Sequence, residues 1–249
     1  KGKLTQIPVN NAAYSILNCF GADNFYIFSP VLEGDKLTAL GTTGEWGYGL
    51  SVTSCTNGLI EYPQMINCRG DGLYIGQEYF NHSAASLCPK DIKIIKPKII
   101  NAGRNGIALC CGENIYIDTP YVDGVSGKAP EAAIDLEPEE ADDSPLESYL
   151  KNVVVHNATL LNAKIYGVLH WFTGAERNVD VKFTGSTVIA GGVYLVRMGS
   201  ADITDDKPCV RNGQVYYEHL IHDQRLVADN VQSDANLAIE TAGRGRGIR

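Results

Sequence analysis

Residues 49–72 read GLSVTSCTNGLIEYPQMINCRGDG, and the closing glycine begins the next copy of the same pattern. Inside this stretch, apolar residues alternate with polar ones in short runs, which is typical of β-strands with one buried side. Asparagine, proline and glycine separate the runs, and these residue types favour turns. Gly72 stands 23 positions after Gly49. The sequence therefore indicates a structural repeat of about 23 residues.

The pattern recurs along most of the chain. One family of predicted strands begins with an Asn or Asp followed by two apolar residues around a variable one, at Asn24, Asn57, Asp91, Asn114, Asn152 and Asn178. A second family begins at Gly49, Gly72, Gly106, Ala133, Gly167 and Gly192. Asparagines precede three of these starts by five positions, at Asn67, Asn101 and Asn162. Intervals longer than 23 residues are explained by insertions at two recurrent turns.

A short constant period that tolerates insertions is typical of a solenoid, in which each coil buries its apolar face against its neighbours. We predict an all-β fold, a right-handed single-stranded parallel β-helix over residues 1–198. Residues 199–249 are predicted to form an irregular β extension or cap with a flexible basic tail. An antiparallel meander fits less well, because it does not require the same residue types at the same offsets. Asparagines stacked at one turn are expected to hydrogen-bond from coil to coil.

The composition excludes several classes of protein. The chain has 249 residues, 44% of them hydrophobic, and a formal net charge of −8, so it can bury a core and repels nucleic acid and anionic membranes. No apolar run approaches the ~20 residues that a membrane span needs. Seven cysteines without a CxxC pair fit neither a zinc site nor a disulfide framework, so we expect free thiols and folding in a reducing cytoplasm. Because the chain begins with Lys1, we expect it to be part of a longer protein.

One outer face of the predicted solenoid carries acids and aromatic rings. In the second strand family the apolar positions point inward, so the alternate positions form an outer strip of Tyr74, Asp135, Glu137, Trp171 and Tyr194. Aromatic faces bind the apolar C–H surface of sugars, and two carboxyl groups can divide into a proton donor and a base or nucleophile. We predict that Asp135 and Glu137 are catalytic and that the three aromatic residues bind substrate.

Other residues near this strip have more than one interpretation. Asp71 could be a third catalytic carboxyl group or a turn residue between glycines. Arg104 could bind an acidic sugar or form a salt bridge with Asp71 or the acidic loop. Outer carboxylates can equally be only solvated, and Trp171 could be a subunit contact. His170 falls on an inward position and is expected to be a core residue.

The insertions at residues 77–90 and 138–151 are expected to be loops that wall a groove over the strip. The acidic run at residues 137–143 could bind Ca²⁺, but it lacks EF-hand spacing and is expected to be a solvated loop. We therefore predict no metal site and no cofactor.

Three strings carry a resemblance to a known family: GDGLYIG at residues 70–76, NAGRNGI at 101–107 and AAIDLEP at 132–138. Over residues 14–198 the chain resembles the pectate-lyase-like β-helices of bacteriophage tailspikes and capsule depolymerases. The resemblance implies a homotrimer in the virion tail that binds, and often cuts, capsule, exopolysaccharide or O-antigen at the surface of the host bacterium. The family shares no catalytic motif, so no residue role is transferred. The acidic motifs of polygalacturonases are absent from the sequence in that family's arrangement.

The sequence thus predicts a tailspike-type protein that binds a bacterial surface polysaccharide and hydrolyses it as an endo-acting glycosidase. Two alternatives remain open. One is a receptor-binding or structural tail appendage without catalysis. The other is a polysaccharide lyase, which would need a uronic acid in the substrate and a base such as Arg104 or a lysine.

Overall fold

The computed structural model describes residues 2–42, 45–77, 87–138, 148–171, 179–190, 194–199, 208–211, 214–219, 224–228, 231–233 and 238–241. For Trp171, and for all residues after 190, it describes the backbone alone. Strands are numbered β1 to β25 in chain order.

The described strands form three sheets. Sheet 1 contains β1 (Lys3–Thr5), β4 (Val31–Glu33), β7 (Gln64–Ile66), β10 (Lys98–Ile100), β13 (Tyr121–Asp123), β16 (Thr159–Leu161), β19 (Thr187–Ala190) and β24 (Val231–Ser233). Sheet 2 contains β2 (Ser15–Phe20), β5 (Tyr48–Thr53), β8 (Leu73–Gly76), β11 (Asn105–Leu109), β14 (Ala132–Leu136), β17 (Tyr166–Trp171), β20 (Tyr194–Gly199) and β25 (Ala238–Thr241). Sheet 3 contains β3 (Asp23–Phe28), β6 (Thr56–Glu61), β9 (Lys90–Ile95), β12 (Gly112–Asp118), β15 (Leu150–His156), β18 (Val179–Thr184), β23 (Gln224–Ala228), β22 (Gln214–His219) and β21 (Pro208–Arg211).

From β1 to β20 the chain visits the three sheets in rotation, and neighbouring strands of each sheet pair in parallel, one coil apart. Leu50 in β5 stands opposite Leu73 in β8, and Lys98 in β10 stands opposite Tyr121 in β13. Both pairs are 23 residues apart, which is the period that the sequence predicts. The chain is a parallel β-helix.

Inward-facing side chains fill the interior along the axis. In sheet 2 the column of Leu50, Leu73, Ile107 and Ile134 is fully buried, and equivalent columns from the other sheets complete one continuous core. Each coil therefore buries its apolar surface chiefly against the coils above and below it.

Asparagines hold the turns between strands. Asn67, Asn101 and Asn162 all have left-handed backbone angles, with φ between 52° and 58°, which asparagine tolerates better than most residues. The Nδ2 of Asn101 donates a hydrogen bond of 2.8 Å to Oδ1 of Asn67 in the preceding coil. A second column of asparagines, within β12 and β15, repeats the arrangement, since Asn152 donates to Oδ1 of Asn114 at 2.8 Å. These bonds confirm the predicted coil-to-coil pairing of amides.

The C-terminal part differs in detail from the predicted division at residue 198. The pair β21–β22 is antiparallel, so this part of the chain departs from the coil pattern. Parallel pairing then resumes, because β23, β24 and β25 pair with β18, β19 and β20. One further coil of the β-helix therefore lies beyond residue 198.

The insertions leave the same edge of sheet 2. They connect β8 to β9, β14 to β15 and β17 to β18, whereas β11 passes to β12 through residues 110 and 111 alone. Most of the two insertions predicted to wall a groove, residues 78–86 and 139–147, lies outside the described residues. Within the described part of the chain, no helix is long and apolar enough to cross a membrane.

Candidate functional site

In β11 the alternation of inward-facing and outward-facing side chains is broken, and this break shapes the outer face of sheet 2. A Cβ added at Gly106 would lie 2.4 Å from a methyl group of Val122, so Gly106 faces the interior, as does its neighbour Ile107. Asn105 and Ala108 consequently face outward on either side of this inward pair. Asp135 in β14 stands opposite Ala108 and therefore also belongs to the outer face.

Asp135 is fully buried although it projects from the outer face. Its Oδ2 accepts a hydrogen bond of 2.9 Å from Nδ2 of Asn105. Among the described residues, none donates a hydrogen bond to its other oxygen, Oδ1. Burial, followed by the negative charge of Glu137, raises the pKa of Asp135 well above its ordinary value. The side chain therefore favours its protonated form.

Asp71 lies one coil before Asn105 and is also fully buried. The backbone N–H of Asn105 donates to its Oδ1 at 2.9 Å, and Nη1 of Arg104 lies 3.4 Å from its Oδ2. Burial raises the pKa of Asp71 to about 6, even though the charge of Arg104 acts in the opposite direction. Asp71 thus ionises close to neutral pH.

Arg104 joins the acidic groups. Its guanidinium lies 3.4 Å from Asp71, 3.3 Å from Oε2 of Glu137 and 4.0 Å from Glu45. Burial opposes its charge, but the charges of Asp71, Asp135 and Glu137 outweigh burial and raise the pKa of Arg104 further. The salt bridge between Arg104 and Asp71 is present in the structure, and the binding of an acidic sugar by Arg104 stays a prediction.

We call Asp71, Asp135, Glu137 and Arg104 the acidic cluster. The cluster contains three carboxyl groups and one guanidinium, so full ionisation would leave it with a net negative charge in a largely buried site. Retaining a proton on a carboxyl group relieves this repulsion. The side chain of Glu137 is 17% exposed, whereas those of the two aspartates are fully buried. Glu137 is therefore the carboxyl group of the cluster that faces solvent.

Tyr74, one of the aromatic residues of the predicted strip, is buried rather than exposed. Tyr74 is only 5% exposed, because its ring stacks on Tyr48 with centroids 4.5 Å apart. Its hydroxyl donates a hydrogen bond of 3.0 Å to the backbone oxygen of Gln77. The expectation that Tyr74 presents an open ring face to a sugar is wrong, since the neighbouring coil covers that face.

Tyr194 does not share a row with Asp135. In the strand pairing, Tyr194 stands opposite Tyr166, and Arg197 stands opposite Leu169, which is the partner of Asp135. Tyr194 therefore lies in the row of Ala132, three residues from the row of Asp135, and its binding of substrate stays a prediction. Trp171 ends β17, and its side chain lies outside the described residues.

Sequence reasoning missed Asn105 as a member of the site. Its side-chain oxygen accepts from the backbone N–H of Ala132 at 3.2 Å, while its amide group donates to Asp135 and its backbone donates to Asp71. A polar residue directly before an inward-facing glycine was the available signal. His170, by contrast, is buried in the inward row next to Leu136, as expected.

In the part of the chain that the structure describes, no group of three His, Cys, Asp or Glu residues could hold a metal ion. Most of the acidic run considered for Ca²⁺ lies outside that part. The absence of a metal site and of a cofactor therefore stays a prediction.

Two curated proteins are similar to this chain. Protein YclG of Bacillus subtilis (strain 168), named uncharacterized, is 21% identical over 204 residues, which cover 75% of this chain and 35% of YclG. YorA, a protein of the same strain named as SPbeta prophage-derived and uncharacterized, is 28% identical over 143 residues, covering 52% of this chain and 24% of YorA. The chain thus spans between a quarter and about a third of the length of these relatives.

A solved structure, the catalytic unit of the GH87 α-1,3-glucanase from Streptomyces thermodiastaticus strain HF3-3, is similar with a TM-score of 0.34 and 10% identity. The similarity covers 89% of this chain and 50% of the glucanase chain. No protein-family model matches the sequence.

Proposed function

We propose that this chain binds a bacterial surface polysaccharide on the outer face of sheet 2 and hydrolyses it. The observation that carries the proposal is the acidic cluster, in which Asp71, Asp135 and Glu137 share the single charge of Arg104. Burial raises the pKa of both aspartates, so each holds its proton to a higher pH than an exposed aspartate does. Glycoside hydrolysis needs such a proton beside an ionised carboxylate.

In this proposal Asp135 holds the proton and Glu137 acts as the base. Glu137 faces solvent and meets the attacking water, while Arg104 orients its carboxylate. Asp135 is fully buried, so donating its proton to the leaving oxygen requires the surface above it to open when the substrate binds.

We further propose that the chain is part of a tailspike-type protein that folds in the host cytoplasm, assembles as a trimer and acts at the surface of the host bacterium. The strings at residues 70–76, 101–107 and 132–138 support this context by their resemblance to tailspike β-helices. The similarity to YorA, which is named as prophage-derived, supports a phage origin.

A second candidate is a receptor-binding or structural appendage without catalysis. The complete burial of Asp71 and Asp135 favours this non-catalytic candidate. The hydrogen bonds and the salt bridge of the two aspartates join neighbouring coils, and this structural role alone would explain them. A lyase that uses Arg104 as its base is disfavoured. The surrounding carboxylates hold Arg104 in its charged form, which cannot accept a proton.

The experiment is to incubate the protein with capsule, exopolysaccharide and O-antigen preparations while following reducing ends and the ultraviolet absorbance of unsaturated uronate. A hydrolase releases reducing ends alone, and a lyase produces both signals. Glu137→Gln and Asp135→Asn should each lower the rate about 100-fold or more. The matched control is Glu113→Gln on sheet 3, where Glu113 pairs with Lys90 and Lys151, and it should keep the full rate.

Full activity in Glu137→Gln and Asp135→Asn would contradict the proposed site. Retention of a polysaccharide on the protein without either signal would favour the non-catalytic candidate.

A further inference from the structure

Two thiols meet between the first two coils of the stack. Cys19 belongs to β2, and Cys55 lies in the turn between β5 and β6. Their Sγ atoms are 3.5 Å apart. Cys55 is fully buried, whereas Cys19 is partly exposed, so a small molecule can approach the pair from the side of Cys19.

We propose that Cys19 and Cys55 are an oxidation site at which peroxide converts two free thiols into a disulfide between adjacent coils. The proposal is independent of the carbohydrate activity. It rests on the contact between the two sulfurs, since disulfides form only where the backbone already brings two cysteines together. Rotation of the side chains must still shorten the distance to about 2 Å, the length of the bond.

The surroundings of the pair favour a reactive thiolate. The hydrogen bond between the two thiols lowers the pKa of Cys55 to about 7, and it raises the pKa of Cys19. The first deprotonation is a property of the pair of thiols rather than of one cysteine, and the proton that remains is shared between the two sulfurs. A thiolate, rather than a thiol, is the form that attacks an oxidant.

One molecule of hydrogen peroxide is sufficient to oxidise the two thiols to a disulfide. The thiolate attacks one oxygen of hydrogen peroxide, the O–O bond breaks, and the leaving hydroxide takes a proton to become water. The sulfur is now a sulfenic acid. The second thiol attacks this sulfur, the S–OH bond breaks, and a second water leaves as the S–S bond forms. The two thiols have together lost two hydrogens, and the peroxide has been reduced.

The position of the pair gives the bond a consequence. Among the described strands, β2 is the terminal strand of sheet 2 and pairs only with β5. A terminal strand with one partner opens more readily than an internal strand with two. The disulfide would therefore join β2 to the coil that contains β5.

A third cysteine serves as an internal comparison. Cys68 is fully buried, and burial raises the pKa of Cys68 to about 12. It should remain a thiol under conditions that oxidise the pair.

The test treats the native full chain with hydrogen peroxide, blocks remaining thiols with N-ethylmaleimide, and maps unreduced peptides. Cleavage after lysine, arginine and glutamate places Cys19, Cys55 and Cys68 in three different peptides. We expect a linked peptide containing Cys19 and Cys55, a mass lower by about 2 Da, and recovery of both thiols with dithiothreitol. Amides of β2 should exchange about tenfold more slowly after oxidation.

Cys68→Ser should retain the linked peptide, and Cys19→Ser should lose it. The peptide map of the wild-type protein tests the proposal even if neither variant folds. Oxidation of Cys19 or Cys55 to sulfinic acid with no linked peptide would overturn the proposal. A linked peptide that joins only other cysteines, such as Cys88 and Cys111, would also overturn it.

Discussion

Replacing Asp71 with asparagine should change how the stability of the protein depends on pH. Burial raises the pKa of Asp71 from 3.8 to about 6 in the folded chain. As pH rises past 3.8 the unfolded chain loses this proton, but the folded chain keeps it until about pH 6. The unfolded state is therefore favoured progressively over this interval, and Asp71 lowers the stability of the wild type as pH rises. The difference of about 2 pKa units corresponds to about 3 kcal/mol.

Asparagine has nearly the same shape and does not titrate, so Asp71→Asn should remove this dependence. We expect the unfolding free energy of Asp71→Asn, relative to the wild type, to increase by about 3 kcal/mol between pH 3 and pH 7. Most of the change should fall between pH 4 and pH 6. The assay is urea unfolding followed by circular dichroism at half-unit pH intervals. The comparison across pH cancels any constant cost of placing an amide beside Arg104.

Glu113→Gln is a control of opposite sign. Hydrogen bonds from Lys151 and Lys90 lower the pKa of Glu113, so its ionisation stabilises the folded chain as pH rises. Relative to the wild type, Glu113→Gln should therefore lose stability with rising pH, and only slightly because the group is at the surface. If the unfolding free energy of Asp71→Asn relative to the wild type did not change with pH, the reasoning would be refuted. A decrease with rising pH would show that Arg104, rather than burial, controls Asp71.

Two further substitutions test the turns. Asn101→Ala removes the bond to Asn67 and places alanine at φ 58°, so urea unfolding should show a loss of about 2 kcal/mol. Asn101→Gly should recover about half of that loss, and equal losses would mean that backbone angle is unimportant there. Gly103→Ala would place a Cβ 2.1 Å from the backbone oxygen of Arg69 and should cost about 3 kcal/mol by the same assay. Gly2→Ala, with no atom within 4 Å, should be neutral, and a neutral Gly103→Ala would indicate that the turn can widen.

The coil itself could be predicted from the sequence because its causes are local. Left-handed backbone angles at the turns favour asparagine and glycine, and strands with one buried side alternate apolar with polar residues. Both requirements recur in every coil, so Asn67 and Asn101 mark equivalent places without knowledge of the rest of the structure. The uninterrupted interval from Gly49 to Gly72 was sufficient to fix the period.

The site was harder to predict because it depends on relations between coils. An insertion changes the offset between neighbouring strands, and a shift of three residues removed Tyr194 from the row of Asp135. Alternation indicates that Tyr74 faces outward, but whether a ring on the preceding coil covers it depends on rotamers that the sequence does not encode directly. Asn105 was missed because its three hydrogen bonds connect three different coils, and the local signal, a polar residue before an inward-facing glycine, does not show these bonds.

The edge at which the insertions leave sheet 2 has a consequence for how such a molecule can diversify. The passage from β11 to β12 shows that a coil needs only two residues there, so anything longer is additional to the coil. Each coil rests on its immediate neighbours, and a change in the additional residues does not propagate along the axis. Mutation can therefore alter the residues at this edge without lowering the stability of the stack, and the edge and the stack can evolve at different rates.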